Sequence, residues 1–171
     1  MRHFDTDYME GAHPVVMQRL FETNLEQTPG YGSDAYTQEA KNLIRKALCT
    51  DDVDVHFLVG GTQTNSTVID ALLSHHEGVV AAETAHINVH ESGAIESCGH
   101  KVLTLPSHGG KVDAVEFAEY IRSFYADETY EHMVAPGMLY ISYPTEYGTL
   151  YTKDELTALH KVCQDANIPM Y

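Results

Sequence analysis

Tryptophan is missing altogether, and cysteine is scarce: Cys49, Cys98 and Cys163 lie far apart, and no two form a Cys-x-x-Cys pair. An odd, scattered set excludes a disulfide framework and leads us to expect a reducing compartment, the cytoplasm. Positive charge is also short. Ten Lys and Arg stand against 25 Asp and Glu, a net charge of −15. Such a surface repels phosphate backbones, so nucleic acid is not an expected partner. An anionic small ligand can bind only locally, through backbone donors and helix ends. No apolar run approaches the roughly 18 residues of a membrane-spanning helix. The start, Met1-Arg2-His3-Phe4-Asp5, has no apolar core of a signal peptide. Neither repeats nor low-complexity tracts occur.

What is present is 171 residues, 43% of them hydrophobic, enough for one domain with a real core. Apolar spacing predicts helices over 13–23, with Pro14 near the start, and over 36–48, separated by a Pro/Gly loop. The period then changes. Val55-His56-Phe57-Leu58-Val59 is short, nearly all apolar and stopped by Gly60-Gly61, the pattern of a strand buried on both faces. A helix over 62–75 follows, then a strand at 78–82, a helix over 86–97, a strand at 101–105 and a helix over 112–125. A strand at 138–142, a helix over 152–166 and a strand beginning at Ile168 complete the pattern. Strands alternating with helices imply a parallel sheet with right-handed crossovers. The expected architecture is a three-layer α/β/α fold. Residues 1–48 form an N-terminal helical segment, and 49–171 the first part of a large domain. A sheet that stops as a strand begins leaves an unpaired edge, so the reading is of a chain incomplete at its C-terminus.

Three motifs fall at the ends of expected strands. Gly60-Gly61-Thr62-Gln63-Thr64-Asn65 can hold a phosphate on free amides at a helix start, helped by the Thr62 and Thr64 hydroxyls. An ordinary turn with Thr62 as N-cap has the same residues. It is neither a Walker A loop nor a Gly-x-Gly-x-x-Gly fingerprint. His86 and His90 are spaced to share a helix face, with Glu91 adjacent, so a metal site through His86, His90 and Glu91 stands as an alternative to a solvated helix start. Ser142-Tyr143-Pro144-Thr145-Glu146-Tyr147-Gly148 offers Glu146 as an acid/base group and Tyr143 or Tyr147 as a proton donor; a plain Pro/Gly turn is the other reading. A fourth segment, Pro29-Gly30-Tyr31-Gly32-Ser33-Asp34, is a shaped loop or a linker.

Together these residues resemble the threonine aldolase / β-eliminating lyase family of fold-type-I enzymes dependent on pyridoxal 5'-phosphate (PLP). Gly60 to Asn65 is similar to the family's phosphate cup, Ala85 to Gly93 to the segment whose histidine stacks on the cofactor, and Tyr31 to Asp34 to its Tyr-Gly segment. The resemblance implies the mostly parallel sheet of the PLP-transferase large domain. It implies PLP held by Gly60, Gly61, Thr62 and Asn65, with His86 on its ring and Tyr31 nearby. It implies His86 as a proton-handling catalytic group, to which the reading of the residues adds Glu146 as the second, and it implies an amino-acid substrate and a homo-oligomer with shared active sites. The implied reaction is carbon–carbon cleavage of a β-hydroxy amino acid to glycine and an aldehyde. This sequence departs from the family where Phe4 precedes Asp5-Thr6 in place of a serine, and where Glu146 stands near a usual histidine. The family's Asp-Gly-Ala-Arg segment is expected after Tyr171, and its Schiff-base lysine further on, so the 171 residues alone are expected to be inactive. A non-catalytic fragment or degenerate subunit needing a partner is the remaining alternative.

Overall fold

The computed structural model describes Thr6 and residues 8–171; Phe4 and Asp5, the N-terminal departure, lie outside them. The chain divides into two compact units, Met1–Phe57 and Leu58–Tyr171. The first carries two helices, α1 (Pro14–Thr23) and α2 (Ala35–Leu48). Pro14 opens α1, where its missing N–H costs nothing. Asp34 caps α2 by accepting the Thr37 amide at 2.8 Å, and the helix ends at Cys49 in left-handed backbone. Both helices are amphipathic in sequence, yet neither has a buried residue.

The second unit is α3 (Gly61–Leu72), β1 (Glu77–Ala82), α4 (His86–Val89), α5 (Ala94–Ser97), β2 (Val102–Leu105), α6 (Ala114–Ala126), β3 (Ala135–Leu139) and α7 (Lys153–Ala166), with a short 3-10 turn at Tyr130–His132. The strands are parallel in the order β2-β1-β3. Met170 bridges to Leu139 in the same direction, at the place expected for a further strand. Right-handed crossovers require the connection from β1 to β2 to cover one face, and the connections onward through β3 the other. The packing agrees: α3 lies on α5, and α6 on α7. Between them the core encloses Ile69, Val79, Val80, Phe117, Met138 and Leu139 completely.

Three expectations are corrected. Residues 55–59 are not a strand. Phe57, Leu58 and Val59 are exposed, and among the described residues no strand pairs with them. A ladder needs a neighbouring edge as well as an apolar run. The strand expected at 138–142 begins three residues earlier, with Pro136 and Gly137 inside it. A side chain at Gly137 would place its Cβ 2.7 Å from that of Glu77, so glycine lets the strands close here. The helix expected over 86–97 is two short pieces. Ser92 and Gly93 between them have positive φ, 53° and 75°, which breaks an α-helix.

Candidate active site

At the carboxyl edge of the sheet, the loop after β1 leads to α4 on one face and the loop after β3 leads to α7 on the other. β1 and β3 are neighbours, so a crevice opens between these loops. That is where open α/β sheets bind ligands. His86 starts α4, and its backbone N–H donates to Glu146 Oε1 at 2.7 Å. The Ser142 hydroxyl donates to the same oxygen at 2.5 Å. Glu146 thus staples the two loops across the crevice.

A second carboxylate reaches His86 from the other side. Glu91 Oε1 lies 2.8 Å from the ring Nδ1 and accepts the Asn65 amide at 2.6 Å. Its side chain is only 1% exposed, against 48% for His86. Asn65 stands in the second turn of α3, and its amide oxygen accepts the Tyr171 hydroxyl at 2.8 Å. Burial, reinforced by the Glu91 charge, raises the Tyr171 hydroxyl above its ordinary value, so it stays a donor at neutral pH. Tyr140, 3.3 Å from the Ser142 hydroxyl, is also raised. Burial is the first cause there; hydrogen bonding to Ser142 opposes it, while Glu91 and Glu146 add to it.

Two oxygens in this cluster, Glu91 Oε2 and Glu146 Oε2, are buried without a hydrogen-bond partner. A buried unpaired acceptor costs about 1–3 kcal/mol. Both lie on the carboxylates that flank His86, so the cluster retains spare capacity to accept hydrogen bonds from a ligand.

The start of α3 supplies the opposite chemistry. α2, α6 and α7 are capped by Asp34, Asp113 and Thr152. α3 has Gly60 at its N-cap and no side-chain bond there; Thr62 lies inside the helix and is not the cap. Exposed first-turn amides at the positive end of a helix dipole suit an anion. Gly60, Gly61 and Thr62 are all exposed. The Thr64 hydroxyl is spent on the Gly60 carbonyl at 2.9 Å. These observations fit a phosphate at α3, with an exposed imidazole linked to the same helix through Asn65 and Glu91.

The structure therefore brings together Asn65, His86 and Glu146, with Gly60, Gly61 and Thr62 on the helix that carries Asn65. Tyr31 is in the first unit, exposed and in left-handed backbone at φ 60°. Tyr143 and Tyr147 are exposed; Tyr147 lies in the turn at Thr145–Gly148 that also carries Glu146, and Tyr143 lies just before it. The His86 and His90 rings lie 5.5 Å apart between centroids, tilted at 52° to one another. Among the described residues no three His, Cys, Asp or Glu side chains are grouped to hold a metal ion. Sequence reasoning missed Glu91 as the hub, together with Ser142 and Tyr171. The only signal for Glu91 was the Ser92-Gly93 pair behind it, which turns the chain back.

The profile of the beta-eliminating lyase family matches residues 3–171. The low specificity L-threonine aldolase of a Pseudomonas species is 31% identical over 99% of this chain and 48% of its own length. That of Pseudomonas aeruginosa is 30% identical, with the same coverage. The chain spans about half the length of the curated relatives it matches. Among solved structures, a threonine aldolase from Leishmania major superposes with a TM-score of 0.90 at 39% identity, over 96% of this chain and 47% of its own. An archaeal alanine:glyoxylate aminotransferase shares the fold at a TM-score of 0.67 and 15% identity.

Proposed function

Because the chain belongs to the beta-eliminating lyase family, we propose that the protein of which it forms part is a PLP-dependent carbon–carbon lyase. It splits a β-hydroxy amino acid between Cα and Cβ to give glycine and an aldehyde. The observation that carries this reading is the convergence of two carboxylates, buried Glu91 and half-buried Glu146, on an exposed histidine, tied through Asn65 to a helix whose N-terminus is uncapped.

PLP, when bound, supplies an electron sink that lowers the cost of breaking the Cα–Cβ bond. The amides of Gly61 and Thr62, with Gly60 giving close approach, would take its phosphate, and His86 its ring. Tyr31 belongs to the same reading, as does Asn65, whose second amide hydrogen stays available beyond its bond to Glu91. The work of this chain's own residues is proton handling. Glu146 and Glu91 fix the backbone and ring of His86, so the exposed ring nitrogen is held ready to accept the substrate's hydroxyl proton. The unpartnered Glu146 oxygen can hold a water in relay with His86. Ser142 keeps Glu146 turned into the crevice. A homo-oligomer with shared active sites and a cytoplasmic setting complete the reading; they rest on the resemblance and on cysteine usage.

Aldehyde release from a panel of β-hydroxy amino acids tests it. The expected result is aldehyde and glycine in equal amounts, with His86→Ala slowing release about a hundredfold or more, in the range of general acid–base contributions. A protein that binds PLP but releases no aldehyde from any β-hydroxy amino acid overturns the aldolase assignment.

A further inference from the structure

Glu91 is enclosed, yet among the described residues neither an ion-pairing Lys nor an Arg reaches it; its partners there are the Asn65 amide and the His86 ring, both on the same oxygen. A carboxylate in such a place is poor stabilisation. Its second oxygen has no partner, and apolar packing of the same volume would serve the fold as well. The geometry does, however, define hydrogen positions. A carboxylate only accepts, so the Asn65 NH2 faces Glu91 and the Asn65 oxygen faces Tyr171, whose hydroxyl donates to it. The same logic requires a hydrogen on His86 Nδ1. In a neutral imidazole the other nitrogen then carries the lone pair.

We infer that Glu91 is a positioning residue, which holds the His86 ring with hydrogen on Nδ1 and presents Nε2 as the basic nitrogen. Tyr171 and Asn65 hold the carboxylate in turn, so a chain of three side chains from 65, 91 and 171 sets one tautomer. The catalytic consequence rests on the proposed role of His86 as proton acceptor; the tautomer does not.

The test is long-range proton–nitrogen NMR on the full-length protein with 15N-labelled histidine, at a pH where the ring is neutral. Loss of one signal in His86→Asn identifies the residue. The expected result is hydrogen on Nδ1 in the unaltered protein and also in Glu91→Gln, whose amide oxygen still accepts. Glu91→Ala is expected to give a mixture of tautomers. Its kcat for aldehyde release should fall about tenfold to hundredfold, the usual loss when a histidine's orienting partner is removed, with KM little changed and the Gln variant recovering most of the rate. Hydrogen on Nε2 in the unaltered protein overturns the inference without any variant, so failure of Glu91→Ala to fold does not protect it. Retention of the Nδ1 hydrogen in a folded Glu91→Ala overturns it equally. Hydrogen on Nδ1 in a protein that releases no aldehyde supports the positioning role and defeats the aldolase reading.

Discussion

Residues 79–82 lie in the middle of the sheet and are enclosed, with Val79 and Val80 paired on both flanks, whereas residues 55–59, nearly all apolar, are exposed from His56 onward, with no strand beside them among the described residues. Val79 and Val80 match Val102 and Leu103 on one side, and Met138 and Leu139 on the other. The run at 55–59 has the Val59 amide turned onto the Gln63 side chain at 3.1 Å, and Val59 is 92% exposed. An apolar run supplies side chains for a core, but its backbone groups also need a partner edge, and that edge comes from elsewhere in the chain. The N-terminal helices make the same point. Val16 and Leu20, four places apart, fall on one stripe of α1, and both are exposed.

The sharpest way to break the contrast is to damage the paired region. Leu139→Ala removes a completely buried side chain between β1 and the Met170 bridge. It should cost about 2–5 kcal/mol, read as a lowered urea midpoint. Gly78→Ala tests register. The new Cβ would stand 2.5 Å from the Lys101 carbonyl, a backbone atom with nowhere to go, and a loss of about 1–3 kcal/mol is expected. A neutral result would mean that the irregularity between Gly78 and Val79 absorbs an extra methyl.

A smaller effect concerns α7, which returns the chain to the sheet at Met170. The Thr152 amide, then the Lys111 ammonium and the Thr152 hydroxyl, hold the Glu155 carboxyl at about 2, below its ordinary 4.5. A lowered carboxyl stabilises the fold fully above its ordinary value, and that contribution is lost as pH falls toward about 2. Glu155→Gln should therefore flatten the acid limb of stability between those values, measured as denaturation midpoint against pH. The smallest effect is expected at the unpaired run. Phe57→Ala should change stability by less than about 0.5 kcal/mol. A loss comparable to that of Leu139→Ala would show that residues 55–59 are covered in solution and end the contrast.

Much of the second unit was legible because its helices carry a clear apolar period. That period places α6 and α7; the caps that start them, Asp113 and the Thr152–Glu155 box, are seen in the structure. The start of β3 was not legible, because Pro136 argues against an interior strand. His86 and Glu146 could be nominated because each follows an apolar run closely. Glu91 could not be given its role, because its partner Asn65 is 26 residues away in sequence. No local pattern reports a pairing that the crevice makes.

The Ser92-Gly93 break has a consequence for anyone who would strengthen this protein. On an unbroken helix a residue five places on sits about 140° around the axis, and Glu91 would then face away from His86. Instead α4 ends at Val89, with His90 at φ −125° carrying the chain out of the spiral before Glu91, and the Ser92-Gly93 break keeps the helix from resuming. Improving helix propensity across 90–93 is a routine route to higher melting temperature. Here it would exchange the orientation of one imidazole for one more turn of helix, and the better-folded variant would hold that ring less firmly.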